Sequence, residues 1–187
     1  MAAPIYVVSG LPRSGTSMMM RMLAAGGLPL LQDGRREADS DNPRGYFELE
    51  AVKGSAVDAS WVAAAPGKVV KVISYLLRSL PSHHQYRVVF MRRTLDQVVR
   101  SQRVMLERLA QPLPQADDEA RRALAEHVVD VETFLDGAPH IRRLGIAYER
   151  VLAEPRLQAQ RIAGFLQVGL DVDAMAAAVE PGLRRQR

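Results

Sequence analysis

The nonapeptide SGLPRSGTS, which follows the first apolar run of the chain, has the residue types of a loop that binds phosphate. Gly10 and Gly15 are spaced like the two glycines of ATP-binding loops, in which a lysine and then a serine or threonine follow. Here Thr16 stands at the position of that lysine and Ser17 follows it. Backbone N–H groups and both hydroxyls would still donate to an anion, and Arg13 adds a positive charge. The loop therefore predicts a phosphate site without the ATP-type lysine.

Two later strand-like runs end in residues unlike those of an ATP enzyme. A nucleoside triphosphate site needs Mg²⁺, which is normally held by the loop hydroxyl and by an acidic residue that closes a strand. The run 86–91 is followed by Arg92 and Arg93, and the run 68–73 is followed by Ser74. Two arginines after a strand suit an anion that arrives without a metal. The pattern disfavours ATP chemistry, and a small-molecule kinase is kept as an alternative.

Apolar runs rich in β-branched residues alternate with helical patterns along the chain. Strands are expected at 5–8, 68–73, 86–91 and 141–148. Helices are expected from Thr16 to Gly26, at 48–62, from Thr94 (with Gln97 completing a capping box), at 120–137, from Pro155, and at 171–179. This order predicts a single α/β domain, residues 1–187, with a central parallel sheet of about four to five strands flanked by helices.

The composition restricts the class of protein. The 187 residues are 48% apolar and 25% charged, with no cysteine, so disulfides and thiolate metal sites are excluded. The net charge of +4 comes almost wholly from arginine, which suits an anionic ligand. Aromatic residues at 5% and the lack of a basic repeat disfavour nucleic acid. No apolar run approaches the ~20 residues of a membrane span. A soluble, cytoplasmic protein is expected.

Two segments together resemble a known family. PRSGTS resembles the 5′-phosphosulfate loop of the sulfotransferases that use 3′-phosphoadenosine 5′-phosphosulfate (PAPS). VVFMRRTLDQVVRSQ resembles their 3′-phosphate signature, a strand, an arginine and a serine eight residues later, which are Arg93 and Ser101 here. Bacterial members carry proline where this chain has Thr94. IAYERVLAEP is similar to a third, strand-to-helix segment of the family, so the resemblance extends to about residue 168.

The resemblance implies a three-layer P-loop NTPase-like fold and transfer of a sulfuryl group from PAPS, as co-substrate, to an acceptor hydroxyl or amine without a metal. The 5′-phosphosulfate would be held by Arg13, Ser14, Gly15, Thr16 and Ser17. The 3′-phosphate would be held by Arg93 and Ser101, with Arg100 as a rival to the serine. A non-catalytic nucleotide-binding relative is a further alternative.

The proton acceptor is predicted by the same resemblance. Steroid- and phenol-type members carry a histidine two residues after a lysine, but here Lys71 is kept and Ile73 takes the histidine's place. The heparan sulfate branch has a glutamate in Tyr-Phe-Glu, and GYFELE places Glu48 in that context. Glu48 is thus the expected general base, at the start of a helix, with Glu50 as the alternative carboxylate. Lys71 would stabilise charge on the bridging oxygen.

The remaining candidates concern the acceptor and the nucleotide. The loop 32–47, with Asp39 or Asp41, and the segment 53–66, with Trp61, are expected to shape the pocket of a small-molecule, glycan or lipid acceptor. Arg185 or Arg187 would close over the nucleotide, although a solvated tail is the favoured interpretation. The four histidines, His83, His84, His127 and His140, are expected to be structural or solvated.

Overall fold

The computed structural model describes residues 3–35, 45–113 and 116–179. Within these ranges four strands form one sheet in the order β2-β1-β3-β4, and every neighbouring pair is parallel. The strands are β1 (Ile5–Gly10), β2 (Val69–Lys71), β3 (Tyr86–Arg92) and β4 (Ile141–Ala147). The predicted α/β fold with a central parallel sheet is confirmed.

Helices cover both faces of the sheet. The α-helices of the described residues are α1 (Thr16–Ala25), α2 (Leu95–Arg108), α3 (Asp117–Gly137), α4 (Tyr148–Ala153), α5 (Pro155–Leu166) and α6 (Val172–Ala177). Short 3₁₀ helices lie at Glu50–Gly54, Ser60–Ala64 and Ser74–Ser79. None of the helices in the described ranges is both long enough and apolar enough to span a membrane.

The predicted helix at 48–62 is wrong, because the segment forms two separate 3₁₀ turns. The carboxylate of Asp58 accepts from the backbone N–H of Ser60 at 2.8 Å and from its hydroxyl at 3.2 Å. Such local bonds compete with helix continuation. Trp61 of the second turn is buried, and its indole N–H donates to Ser55 Oγ at 2.8 Å. Trp61 is therefore a core side chain, and its part in an acceptor pocket stays a prediction.

Alternation along β1 builds the two cores. Tyr6 and Val8 face the apolar layer of α1, α5 and α6, whereas Ile5 and Val7 face that of α3 and the 3₁₀ turns. Successive residues of a strand point to opposite faces, so one strand serves both layers. The result is a three-layer domain whose central strands are buried on both sides.

The carboxyl ends of all four strands lie at one edge of the sheet, because the strands are parallel. Strand β2 pairs with one side of β1 and strand β3 pairs with the other side. The loop after β1 therefore lies at the point where the strand order reverses. Ligands of open α/β sheets bind at such a point. The edge receives Gly10, Lys71 and Arg92 from the first three strands and Tyr148 just beyond β4.

Candidate active site

The loop after β1 is folded so tightly that two of its positions exclude any side chain. Gly10 has φ 143°, and a Cβ there would lie 2.6 Å from the carbonyl oxygen of Met91 and 2.5 Å from Ser14 Oγ. Gly15 has φ 100°, and its Cβ would lie 2.6 Å from ring atom Cδ2 of Tyr148. The two glycines that suggested a phosphate loop are thus fixed by contacts with β3 and α4.

The same loop leads directly into α1 and presents donors there. Gly15 is the N-cap of α1 and has no side chain to cap the first turn, and that turn contains no acidic residue. The hydroxyl of Ser14 is buried and forms no hydrogen bond with the rest of the described chain. Backbone N–H groups at the start of a helix attract anions, so the start of α1 is the expected binding position of a phosphate.

Two arginines and a serine meet on the α2 side of the loop. Arg93 Nη1 donates to the carbonyl oxygen of Arg13 at 3.0 Å, and its Nε donates to Gln97 Oε1 at 3.0 Å. Its guanidinium lies 4.6 Å from the ring centroid of Tyr148. Arg13 Nε in turn donates to Ser101 Oγ at 3.0 Å. Arg93 and Ser101, paired by the sequence, are therefore joined through Arg13. We call Arg13, Arg93 and Ser101 the arginine cluster.

Helix α2 holds the loop through two glutamines that the sequence did not assign to the site. The predicted capping box is wrong: Thr94 makes no side-chain capping bond, and Gln97 is engaged by Arg93 instead. A charged donor forms a stronger hydrogen bond than a backbone amide does, which explains this exchange. Five residues further along α2, Gln102 Nε2 donates to the carbonyl oxygen of Pro12 at 3.1 Å.

Three further arginines at the end of β3 and on α2 are ion-paired or exposed. Arg92 pairs with Glu132 at 2.5 Å, and Arg103 pairs with Asp117 at 2.5 Å. Arg100 is exposed. The guanidinium groups of Arg92 and Arg103 thus lie in ion pairs between α3 and its neighbours.

A lysine and a glutamate meet on the β2 side of the loop. Lys71 ends β2, and only 7% of its side chain is exposed. Its Nζ lies 2.9 Å from the carbonyl oxygen of Tyr46, 3.3 Å from Ser17 Oγ and 3.3 Å from Glu48 Oε1. Glu48 is 19% exposed, so the two charges compensate each other in a largely buried place. We call Lys71, Glu48 and Ser17 the lysine cluster.

The segment that carries Glu48 is fixed by Asp33, which the sequence did not single out. Asp33 Oδ2 accepts from the N–H of Glu50 at 2.7 Å, and Oδ1 accepts from that of Arg35 at 3.0 Å. The N–H of Asp33 donates to the carbonyl oxygen of Glu48 at 3.2 Å. The bond from Glu50, followed by that from Arg35, lowers the pKa of Asp33. Asp33 thus ties Glu48 and Glu50 to the chain that follows α1.

Glu48 does not open a helix, contrary to the prediction. The 3₁₀ turn begins at Glu50, after Leu49, and the carboxylate of Glu50 turns outward to Lys53, 2.7 Å away. Phe47, just before Glu48, has φ 53°, in the left-handed region that a bulky residue rarely adopts. This turn places the Tyr46 carbonyl and the Glu48 carboxylate on the same ammonium group.

His127 of α3 contacts the 3₁₀ turn that follows β2, and it does not belong to the loop after β1. Its Nε2 is 2.9 Å from Ser74 Oγ, and its ring stacks on Tyr75 with centroids 3.8 Å apart. Burial is the main cause that lowers the pKa of His127. His83 packs against His84, and His140 packs against Tyr86.

Several predicted positions lie outside the described residues: Asp39, Asp41, Arg185 and Arg187, with most of the loop 32–47. Across the three ranges that the structure describes, no group of three or more histidine, aspartate or glutamate side chains is arranged to hold a metal ion.

No protein-family model and no curated protein sequence matches the chain. Solved structures do. A sulfotransferase from Alicyclobacillus acidocaldarius has a TM-score of 0.54 at 16% identity, over 98% of this chain and 89% of that one. Mouse sulfotransferase SULT7A1, solved with PAP, has a TM-score of 0.61 at 15% identity, over 94% of this chain and 62% of that one.

A third structure, the sulfotransferase domain from the curacin biosynthetic pathway, has a TM-score of 0.53 at 14% identity. It covers 95% of this chain and 83% of its own. At these identities the likeness concerns the fold. The chain has the P-loop NTPase-like fold found in sulfotransferases, as predicted.

Proposed function

We propose that this protein is a sulfotransferase that moves the sulfuryl group of PAPS to a hydroxyl or amine of a small-molecule, glycan or lipid acceptor. One observation carries the proposal: a single phosphate loop at the sheet edge has the arginine cluster on one side and the lysine cluster on the other. PAPS has a permanent 3′-phosphate and a reactive 5′-phosphosulfate, so it needs two anion sites with different chemistry.

The loop and the arginine cluster bind the nucleotide. Arg13 and the N–H groups and hydroxyls of residues 14–17 receive the 5′-phosphosulfate at the start of α1. Arg93 and Ser101 receive the 3′-phosphate, with charge-assisted hydrogen bonds from the guanidinium. Three of the structures with this fold are sulfotransferases, and one was solved with PAP, the product nucleotide, which supports this class of ligand.

The lysine cluster performs the transfer. The acceptor oxygen attacks sulfur, the bond between sulfur and the bridging oxygen breaks, and its electron pair stays on the 5′-phosphate of PAP. Glu48 accepts the proton of the attacking hydroxyl as general base. Lys71, which contacts both Glu48 and Ser17 of the loop, stabilises the charge that develops on the leaving phosphate.

The kinase alternative is disfavoured by the residues at the strand ends. An ATP enzyme places a carboxylate there for Mg²⁺. In this chain β2 ends at Lys71 and β3 ends at Arg92. Positively charged side chains thus stand at the carboxyl ends of the two strands that flank β1.

Thermal unfolding tests the proposal. PAP at about 100 times its dissociation constant stabilises the folded state by about 2.7 kcal/mol. For a domain of this size, that raises Tm by about 5 to 10 °C. ATP with Mg²⁺ is the matched control, and it should leave Tm nearly unchanged. A shift with ATP and Mg²⁺ but none with PAP would contradict the proposal.

A further inference from the structure

We infer that Asp33 is a positioning residue for the transfer step, because it holds the backbone that presents Glu48 to Lys71. The inference rests on the proposed function, in which Glu48 takes the proton and Lys71 stabilises the leaving phosphate. Asp33 itself is exposed and lies in the chain that follows α1. It acts on the lysine cluster through the peptide groups of Glu48 and Glu50.

Asp33 is placed by the same strand that carries Lys71. The N–H of Val69 in β2 donates to the carbonyl oxygen of Pro29 at 2.9 Å, and the N–H of Leu31 donates to that of Val69 at 2.8 Å. The chain 29–31 therefore runs along the edge of β2. Asp33 follows Leu31 by two residues and Lys71 follows Val69 by two residues, so the pairing with β2 sets the position of Asp33 relative to the ammonium group.

The bonds of Asp33 enclose Leu49 and fix the backbone that follows Glu48. The N–H of Asp33 donates to the carbonyl oxygen of Glu48 at 3.2 Å, and Asp33 Oδ2 accepts from the N–H of Glu50 at 2.7 Å. Oδ1 accepts from the N–H of Arg35 at 3.0 Å, which orients the carboxylate. The Leu49 side chain packs against the core on the side of α3. Packing and the two bonds to Glu48 and Glu50 together define this backbone.

The turn before Glu48 needs such support because it is strained. Phe47 has φ 53°, in the left-handed region, where a residue with a Cβ is unfavourable. This conformation persists only where surrounding contacts hold it. It brings the Tyr46 carbonyl oxygen to 2.9 Å and Glu48 Oε1 to 3.3 Å from Lys71 Nζ. Loss of the Asp33 bonds would let the turn relax and carry the Glu48 carboxylate away from the ammonium group.

Steady-state kinetics of Asp33→Ala, with PAPS and a panel of phenol, sugar and lipid acceptors, test the inference. The change removes both acceptor oxygens from an exposed position. We expect kcat to fall about 10- to 100-fold, the effect of misplacing a catalytic group by about 1 Å. PAP affinity should stay within about three-fold, because the arginine cluster is unchanged. Asp33→Asn keeps one acceptor oxygen, so its kcat should lie between those of the wild type and Asp33→Ala.

The Glu48→Gln background separates a positioning role from a merely structural one. If Asp33 acts through the Glu48 carboxylate, adding Asp33→Ala to Glu48→Gln should lower kcat by less than about a further two-fold. Asp171→Ala is the matched control. Asp171 is exposed, and its Oδ1 accepts from the backbone N–H of Ala174 at 2.9 Å, so this change also removes a carboxylate that caps the backbone. It should leave kcat within about two-fold.

Acetylation of lysine gives a readout that needs no turnover. The chain has three lysines, Lys53, Lys68 and Lys71, and the side chain of Lys71 is only 7% exposed. Labelling with acetic anhydride is followed by mass spectrometry. Lys71 should react about 10-fold faster in Asp33→Ala than in the wild type, because a hydrogen bond to a charged group that holds its cover is lost. Lys68 is the internal reference, and its rate should change less than about two-fold.

An unchanged kcat in Asp33→Ala would overturn the inference, and so would an equal fall with and without the Glu48 carboxylate. Equal acceleration at Lys68 and Lys71 would assign Asp33 to the stability of the whole fold and would overturn it too. Failure of the proposed function is seen separately, as a wild type that binds no PAP. The labelling of Lys71 then still decides whether Asp33 holds Glu48 in place.

Discussion

The arginine cluster and the lysine cluster lie on opposite sides of one loop and bring different chemical groups together. The contacts of the arginine cluster join two guanidinium groups, a hydroxyl and a carbonyl. The lysine cluster pairs an ammonium group with a carboxylate in a largely buried place. Arginine stays charged and holds a fixed geometry, which suits a permanent anion. A lysine–glutamate pair suits a step in which charge and a proton move.

Both clusters depend on an unusual backbone residue. Of the four described non-glycine residues with positive φ, Arg13 belongs to one cluster and Phe47 adjoins the other. Of the remaining two, Gln167 directly follows α5, and Ala110 lies two residues after the end of α2. Strain of this kind is maintained where surrounding contacts require it. The two sides of the loop are therefore built by local distortions rather than by the sheet alone.

The largest effect that separates the two clusters is expected from Glu48→Gln. The amide cannot accept the acceptor's proton, so kcat should fall about 10²- to 10⁴-fold. PAP affinity should stay within about three-fold, because the variant leaves the arginine cluster intact. Release of PAP from PAPS is measured with a panel of phenol, sugar and lipid acceptors.

Glu50→Gln is the matched control for that prediction. Its carboxylate pairs with exposed Lys53, and kcat should change less than about two-fold. Loss of activity in Glu50→Gln with none in Glu48→Gln would move the base to the alternative carboxylate. A wild type that binds PAP but has no turnover would favour the non-catalytic relative.

The next effect concerns stability at the lysine cluster. Lys71→Ala removes the ammonium that compensates Glu48, and disruption of a buried pair costs about 3 kcal/mol. The matched change Lys53→Ala breaks an exposed pair, with side chains 55% and 47% accessible, and should cost less than about 1 kcal/mol. Urea unfolding measures both. Equal losses would show that Lys71 has no special role in the structure.

The smallest difference between matched variants concerns the contact between the loop and the ring of Tyr148. Gly15→Ala and Gly27→Ala both place a Cβ at positive φ, 100° and 93°, at about 1 to 2 kcal/mol each. Only at Gly15 does the new Cβ meet a neighbour within 4 Å. Overpacking there should add about 1 to 3 kcal/mol.

Differential scanning calorimetry compares the Tm of these two variants. Gly15→Ala should also weaken PAP binding, because Tyr148 lies against Arg93. The account of the loop would be contradicted if Gly27→Ala proved as destabilising as Gly15→Ala.

The sequence predicted what depends on local spacing. The glycines of the loop, the strand that ends at Arg92 and the register of Ser101 are local patterns, and the fold they imply is confirmed. The tripeptide Tyr-Phe-Glu singled out Glu48 in the sequence. In the structure its Oε1 lies 3.3 Å from Lys71 Nζ. Its role as general base stays a prediction.

What the sequence missed depends on contacts between distant segments. The spacing between Thr94 and Gln97 fits a capping box, but the side chain of Gln97 accepts a hydrogen bond from Arg93 instead. Asp33 and Tyr148 reach the site from segments whose own patterns signal only a loop and the end of a strand. The segment 48–62 has helical periodicity, yet the Asp58 turn and the burial of Trp61 override it.

A crystal structure of the protein with bound PAP tests the central claim most directly. We expect the 3′-phosphate within about 3 Å of Arg93 and Ser101. We also expect the 5′-phosphate at the start of α1, on the side of Lys71. A nucleotide bound in the reverse direction, or with its 3′-phosphate in solvent, would contradict the account.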